Sequence, residues 1–322
     1  MQPTGTGGLH LGNLEVVRNW ALLQNEYEMF NCVVDWHALT TMYSDASGMR
    51  DRVHEVAAEY IAGGLDPAKC AIFRQSDVKE HAELHLLLSM ITPLGWLERV
   101  PTYKEKRDNL QLNEESLSYG LLGYPVLMAA DILVYRATAV PVGKDQVAHL
   151  EITREIARRF NNLYEDVFPE PKSIVNEVTA IVPGIDGRKM SKSYGNAIYI
   201  GDDAETVKRK IMDAFTTPSK IRKSDPGIPA TCVVCQLRRI YDPSGYQTSW
   251  DEDAAGERGC VQNKRELIEI INAFMEPIRS RRAELLSDRA QLEAILQDGA
   301  ERARAATSET MQIVRRAMKL SL

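Results

Sequence analysis

Over residues 13–26 the apolar positions Val16, Val17, Trp20, Leu22 and Leu23 recur at the spacing of one helix face. The run that follows, Met29-Phe30-Asn31-Cys32-Val33-Val34-Asp35, is too short for a helix and rich in strand formers. Residues 50–63 return to the helical period and stop at Gly63-Gly64, and residues 70–75 (CAIFRQ) predict a second strand. Strand, helix and strand in this rhythm predict an α/β fold around a parallel sheet with right-handed crossovers. Functional side chains are then expected in loops at the carboxyl ends of the strands.

Residues 121–135 form a dense apolar stretch carrying a single acid, Asp131. Ala139-Val140-Pro141-Val142-Gly143 predicts a strand running into a loop, and residues 146–160 a helix that begins near Asp145. Beyond Lys192 the character changes. From residue 204 to the end the pattern is mostly helical, interrupted by Pro226-Gly227-Ile228-Pro229 and by the polar, glycine-containing stretch 242–259. A domain boundary near residue 195 follows, and no internal repeat or low-complexity tract is visible.

Composition narrows the class. A chain of 322 residues with 44% hydrophobic and 26% charged residues is ordinary globular protein, which excludes a wholly disordered or fibrous chain and suggests two domains. Lys and Arg total 39 against 45 Asp and Glu, so the net charge of −6 does not by itself nominate a nucleic-acid binder. No apolar run approaches the ~18 residues of a membrane span, and the N-terminus lacks a basic, then apolar, leader pattern; a cytoplasmic protein is expected. Five cysteines, an odd and sparse set, suit a reducing compartment.

Two segments carry candidate chemistry. The first, Pro3-Thr4-Gly5-Thr6-Gly7-Gly8-Leu9-His10-Leu11-Gly12-Asn13-Leu14, is a glycine-rich turn entering a helix, where free N–H groups and a partial positive charge suit phosphate. Gly12 would let a nucleotide base lie against the backbone, and His10 and Asn13 could donate to phosphate oxygens; a plain glycine loop with a core-facing histidine is the alternative. It is neither a dinucleotide fingerprint nor a Walker A loop. The second, Gly184-Ile185-Asp186-Gly187-Arg188-Lys189-Met190-Ser191-Lys192-Ser193, interleaves three cations with two hydroxyls between glycines, a pattern for clamping polyphosphate or for a solvated charged loop. Cys232-Val233-Val234-Cys235 with Cys260 is read as thiols filling a hydrophobic corner rather than a metal site, and His81 with His85 as residues of a surface helix.

The order of these segments, His10-Leu11-Gly12-Asn13 near the start and Lys189-Met190-Ser191-Lys192-Ser193 about 180 residues later, resembles the HIGH and KMSKS signatures of class I aminoacyl-tRNA synthetases. Further segments are similar to the tryptophanyl-tRNA synthetases within that class. They are Val34-Asp35-Trp36-His37-Ala38, Tyr103-Lys104-Glu105-Lys106, Leu127-Met128-Ala129-Ala130-Asp131-Ile132-Leu133, Pro141-Val142-Gly143-Lys144-Asp145-Gln146 with His149, and residues 153–161. The likeness spans nearly the whole chain.

It implies a Rossmann-like catalytic domain over 1–192, an all-helical anticodon-binding domain over 193–290 and a C-terminal helix over 291–322 packing back on the first. The implied activity makes tryptophanyl-adenylate from tryptophan and ATP with Mg²⁺, then charges the 3′ end of tRNA(Trp), in a homodimer. By the same likeness, Gln2, Thr4, Gly12, Asn13, Lys106, Gly143, Asp145, Lys189, Met190, Ser191, Lys192 and Ser193 would contact ATP, with Lys189, Lys192, His10 and Asn13 catalytic. Asp131 would accept the indole N–H, Met128 would pack on the indole, Tyr124 and Gln146 would hold the α-ammonium, and His37 and Val142 would line the pocket.

Some features depart from that pattern. Members normally begin with an extra strand ahead of the Gln-Pro turn, so either the true start lies upstream or the chain is a catalytically impaired, RNA-binding paralogue. Thr6-Gly7 lengthen the turn, and Asn13 stands for the second histidine. Some relatives hold an iron–sulfur cluster with four cysteines; Cys232, Cys235 and Cys260 would be its remnant, with Asn263 in the last place. A tyrosine-specific relative is the alternative enzyme, against which Asp131 argues.

Overall fold

The computed structural model describes residues 1–3, 8–100, 118–143, 146–174 and 182–320. Helix α1 (Leu11–Leu23) starts on His10, whose Nδ1 accepts the Asn13 N–H (3.2 Å) while Asn13 Oδ1 accepts the His10 N–H (3.3 Å). This reciprocal cap gives partners to two backbone donors at the helix start. Strand β1 (Phe30–Val33) is followed by α2 (Asp35–Met42) and α3 (Met49–Ala62), which cross over to β2 (Ala71–Arg74). β1 and β2 pair in parallel, from Phe30 opposite Ala71 to Val33 opposite Arg74.

Helices α4 (Glu80–Ser89), α5 (Leu94–Leu97) and α6 (Tyr119–Leu133) lead to β3 (Ala139–Pro141), then α7 (Val147–Leu163) and β4 (Lys172–Ile174), again parallel to β3. The α/β class and the parallel pairing are as the periodicity predicts. Beyond residue 200 come α8 (Ala204–Met212), α9 (Val233–Tyr241), α10 (Tyr246–Ala255), α11 (Cys260–Ser287) and α12 (Arg289–Ala317). Stretch 242–259, expected as a break, therefore contains a helix. Its buried positions, Ser249 and Asp253, are polar, and Asp253 pairs with the buried Lys220 Nζ at 3.0 Å, so no apolar stripe marks it.

One hydrophobic cluster runs from Leu14 and Val17 of α1 through Val56 and Tyr60 of α3 to Ile211, Leu237, Leu267 and Leu292 in the later helices. A second joins α4, α6 and α7 to Met311 and Val314 at the end of α12. α12 lies against β2 so closely that a Cβ on Gly299 would fall 2.0 Å from the Ile72 carbonyl oxygen. Between β1 and β3 lies a cleft of about 440 Å³, walled in part by Met29, Asn31, Cys32, Ala139 and Pro141, with Asp131 facing it. Beside β1, the Met1 ammonium donates to the Cys32 carbonyl (3.1 Å) and the Val34 N–H to the Met1 carbonyl (3.2 Å).

Candidate active site

The two motif segments meet. Ile200 N–H donates to Leu9 O (2.8 Å) and Leu11 N–H to Ile198 O (2.9 Å), so the backbone just past the lysine-rich loop is stitched to the start of α1. The loop itself is a hairpin-like turn in which Met190 N–H donates to Val182 O (3.0 Å) and Gly184 N–H to Arg188 O (2.7 Å). Asn196, nearly fully buried, braces it from beneath: Oδ1 accepts the Ser191 N–H (2.9 Å), and Nδ2 donates to Asp186 Oδ1 (2.7 Å) and Lys189 O (3.2 Å). The Met190 side chain is anchored in the core, and Ser191 Oγ caps the short turn over Lys192–Tyr194. Arg188 pairs with Asp186 and lies over the Tyr194 ring at 4.3 Å.

Charge gathers where the segments touch. Burial first, then the ammonium groups of Lys192 and Lys189, pushes His10 down to about 4, so its imidazole is neutral at pH 7 and its Nδ1 stays an acceptor for the helix cap. Lys192 is itself lowered by burial, opposed by the carboxylates of Glu59 and Glu55. Gly12 packs on the His10 ring, where an added Cβ would sit 3.1 Å from Nδ1.

At the other end of the site, Tyr124, Met128 and Asp131 share one face of α6 at spacings of four and three residues. Asp131 holds three donors: His81 Nδ1 (2.6 Å) and Gln75 Nε2 (2.7 Å) on Oδ1, and His37 Nε2 (2.7 Å) on Oδ2. Burial would raise its pKa, but His37 and His81 outweigh that and hold the carboxyl far below the usual range, so it is ionised. The His81 Nε2 meets the Tyr135 hydroxyl at 2.8 Å, and burial pushes that phenol's pKa well up. Tyr124 stacks edge-on against His37 (4.4 Å) and accepts a hydrogen bond from Gln2 Nε2 (3.1 Å).

The structure thus brings Gln2, Tyr124, His37 and Asp131 into one connected group, and His10, Asn13, Lys189 and Lys192 into another. Val142 N–H donates to Ile174 O (3.2 Å), and the Gly143 carbonyl accepts the Gln146 N–H (2.9 Å) just ahead of α7. Thr4, Lys106 and Asp145 lie outside the described residues, as do the extra turn residues Thr6 and Gly7. His81 corrects the expectation of a surface helix: it is fully buried, because α4 packs on α6 and turns the imidazole onto Asp131. The lone acid in an apolar stretch was the available signal that such partners exist, since an unpaired buried carboxylate is costly. Gln75 and Asn196 carried no sequence signal.

Cys232 and Cys235 are buried at the start of α9, where Asn263 Nδ2 donates to Cys235 Sγ (3.5 Å). Among the described residues no group of three or more His, Cys, Asp or Glu could hold a metal ion, and no helix is long and apolar enough to cross a membrane.

A histidine-capped helix start, a lysine loop whose following backbone is bonded to that start, and an acid-bearing helix face beside parallel strand pairs define a nucleotide-dependent ligase of the class I synthetase type. Residues 1–311 match the family model of the class I tRNA synthetases for tryptophan and tyrosine (W and Y), and the chain belongs to that family. Within it, the chain is 45% identical over 324 residues to the tryptophan–tRNA ligase of Thermotoga maritima, covering 99% of this chain and 98% of the relative. It is 41% identical to the tryptophan–tRNA ligase of Aquifex aeolicus, covering 99% and 98%. In structure it is similar to the tryptophanyl-tRNA synthetase of Campylobacter jejuni complexed with ADP and tryptophan, with a TM-score of 0.88 and 36% identity over 99% of this chain and 98% of that one.

Proposed function

We propose that this chain is a tryptophan–tRNA ligase. The observation that carries the reading is a cleft-facing Asp131 held by three donors, together with a lysine loop whose following backbone is bonded to the start of α1. The first group fits a substrate bearing an apolar ring and an N–H; the second fits phosphate.

In this reading ATP lies along the α1 turn, against Gln2, Thr4, Gly12, Asn13, Lys106, Gly143 and Asp145, with its phosphates under residues 189–193. Tryptophan sits on the α6 face, its indole N–H toward Asp131, its ring on Met128 and Val142, and its ammonium near Tyr124 and Gln146. Its carboxylate oxygen forms a bond to the α-phosphorus as the bond from that phosphorus to the bridging oxygen breaks and pyrophosphate leaves. Lys189 and Lys192 stabilise the charge that accumulates on the leaving group. The 3′-terminal ribose hydroxyl of tRNA(Trp) then attacks the tryptophanyl carbonyl, and AMP leaves. Neither step uses a covalent enzyme nucleophile; positioning and fixed charge carry the acceleration. Mg²⁺ enters with the nucleotide, as part of the substrate. A cytoplasmic homodimer with the anticodon read by residues 193–290, and residues 291–322 packed back on the catalytic part, completes the proposal.

Tryptophan-dependent exchange of labelled pyrophosphate into ATP tests it. Exchange is expected with the chain as it stands, and replacing Lys189 and Lys192 together with Ala should abolish exchange while tryptophan binding, followed by calorimetry, persists. No exchange with tryptophan, or exchange that survives the double replacement, would overturn the reading.

A further inference from the structure

In the proposed function Asp131 takes the substrate's N–H, and its two oxygens are not equivalent. Oδ1 already accepts two hydrogen bonds, from His81 Nδ1 and Gln75 Nε2, which exhausts an oxygen with two lone pairs. Among the described residues Oδ2 accepts one, from His37 Nε2, which leaves it one lone pair. The carboxylate is fixed in rotation because His81 is itself clamped: it is fully buried, and its far nitrogen meets Tyr135, whose ring stacks on Phe30 of β1 at 4.4 Å. A carboxylate can only accept, so His81 Nδ1 donates to it, and the contact of Nε2 with the Tyr135 hydroxyl fixes the far edge of the ring.

We infer that His81, held by Tyr135, is a positioning residue for tryptophan specificity: by filling Oδ1 together with Gln75, it presents Oδ2 of Asp131 as the single oxygen able to take an N–H from the amino-acid substrate. The inference rests on Asp131 reading the indole N–H, and neither His81 nor Tyr135 is required to touch the substrate. A carboxylate free to rotate would satisfy itself on the neighbouring donors, and the site would lose its demand for a substrate N–H. Discrimination of this kind depends on leaving a buried polar group unpaired when the wrong substrate binds.

The experiment measures amino-acid activation of tryptophan and of its analogue with sulfur in place of the indole N–H, in wild type and in His81→Leu, His81→Asn, Tyr135→Phe and Asp131→Ala. His81→Leu should lower the preference for tryptophan by about tenfold to a hundredfold, through KM for tryptophan with KM for ATP unchanged, as expected of a misplaced contact. His81→Asn, whose amide nitrogen can stand where Nδ1 does, should recover most of the preference. If His81→Leu does not fold, Tyr135→Phe carries the test, with a smaller loss in the same direction. Wild-type discrimination in the folded His81 and Tyr135 variants, alongside its loss in Asp131→Ala, would overturn the inference and leave the role of Asp131 standing. Discrimination that survives Asp131→Ala would remove that role and the inference with it.

Discussion

His10 shows how one residue serves both the fold and the site. Its ring caps α1 only while Nδ1 is an unprotonated acceptor, and burial beside two lysines keeps it so. In the unfolded chain this imidazole takes its proton near 6.5, in the folded one only near 4. Between those values the unfolded state binds more protons, so the stability contributed is complete above pH 6.5 and is lost as pH falls toward 4. The difference corresponds to about 3 kcal/mol. His10→Asn, which retains a capping oxygen and does not titrate, should therefore lose less thermal stability than wild type between pH 7 and pH 4; parallel losses across that range would contradict the account. His10 was visible in the sequence because it sits inside a local motif, as do Gly12, Lys189 and Lys192. His81, Gln75 and Asn196 were not, because what makes each important is a partner brought in by folding: Asp131 lies 50 residues from His81 and 56 from Gln75.

At the scale of elements, the α1 turn is held by helices far away in sequence. Glu59 of α3 is fully buried, accepts the Leu9 N–H (2.6 Å) and receives Nε of Arg282 from α11 (2.8 Å). Gly8, at φ +68, leaves room for this carboxylate, since a Cβ there would fall 2.1 Å from Oε1. Burial raises Glu59 to about 7 even against Arg282, so the pair is finely balanced and either half alone is a liability. Glu59→Ala should destabilise by about 3 kcal/mol, because it leaves the Arg282 guanidinium with the longer pair to Glu55 (3.9 Å) and strands the Leu9 N–H. The double variant Glu59→Ala with Arg282→Met should lose clearly less than the sum of the single losses in urea titrations; simple additivity would mean the two do not act together. The amphipathic helices and both strands of the first pair were legible from apolar spacing. α10 was not, and neither were the partners of the cations beyond residue 200: Lys210 pairs with Asp202, Lys220 with Asp253, Arg281 with Glu284 and Arg282 with Glu59. Sequence alone shows cations close together but not the carboxylates that fold onto them.

For the whole molecule the consequential feature is that the largest hydrophobic cluster does not respect the change of character near residue 195. Residues of α1 and α3 share it with α8, α9, α11 and the first turns of α12, while the end of α12 enters the second cluster with α4, α6 and α7. α12 is thus common to both, and it also donates from Arg302 to the Pro67 and Cys70 carbonyls and from Arg304 to that of Asp77. A chain whose parts had separate cores would melt in separate steps; one whose parts share apolar surface gains cooperativity, since unfolding either part exposes the other. The expectation is one transition, with helix content and the fluorescence of Trp20, Trp36, Trp96 and Trp250, which are spread along the chain, changing together. Gly299 makes the test specific. Its backbone lies on the Ile72 carbonyl, so Gly299→Ala must push α12 off β2, at a cost of about 1–3 kcal/mol for overpacking. If α12 joins the two clusters, that substitution lowers the midpoint of the whole transition by several degrees and leaves it single. Two resolved steps, of which Gly299→Ala shifts only one, would show that the shared surface does not couple the parts.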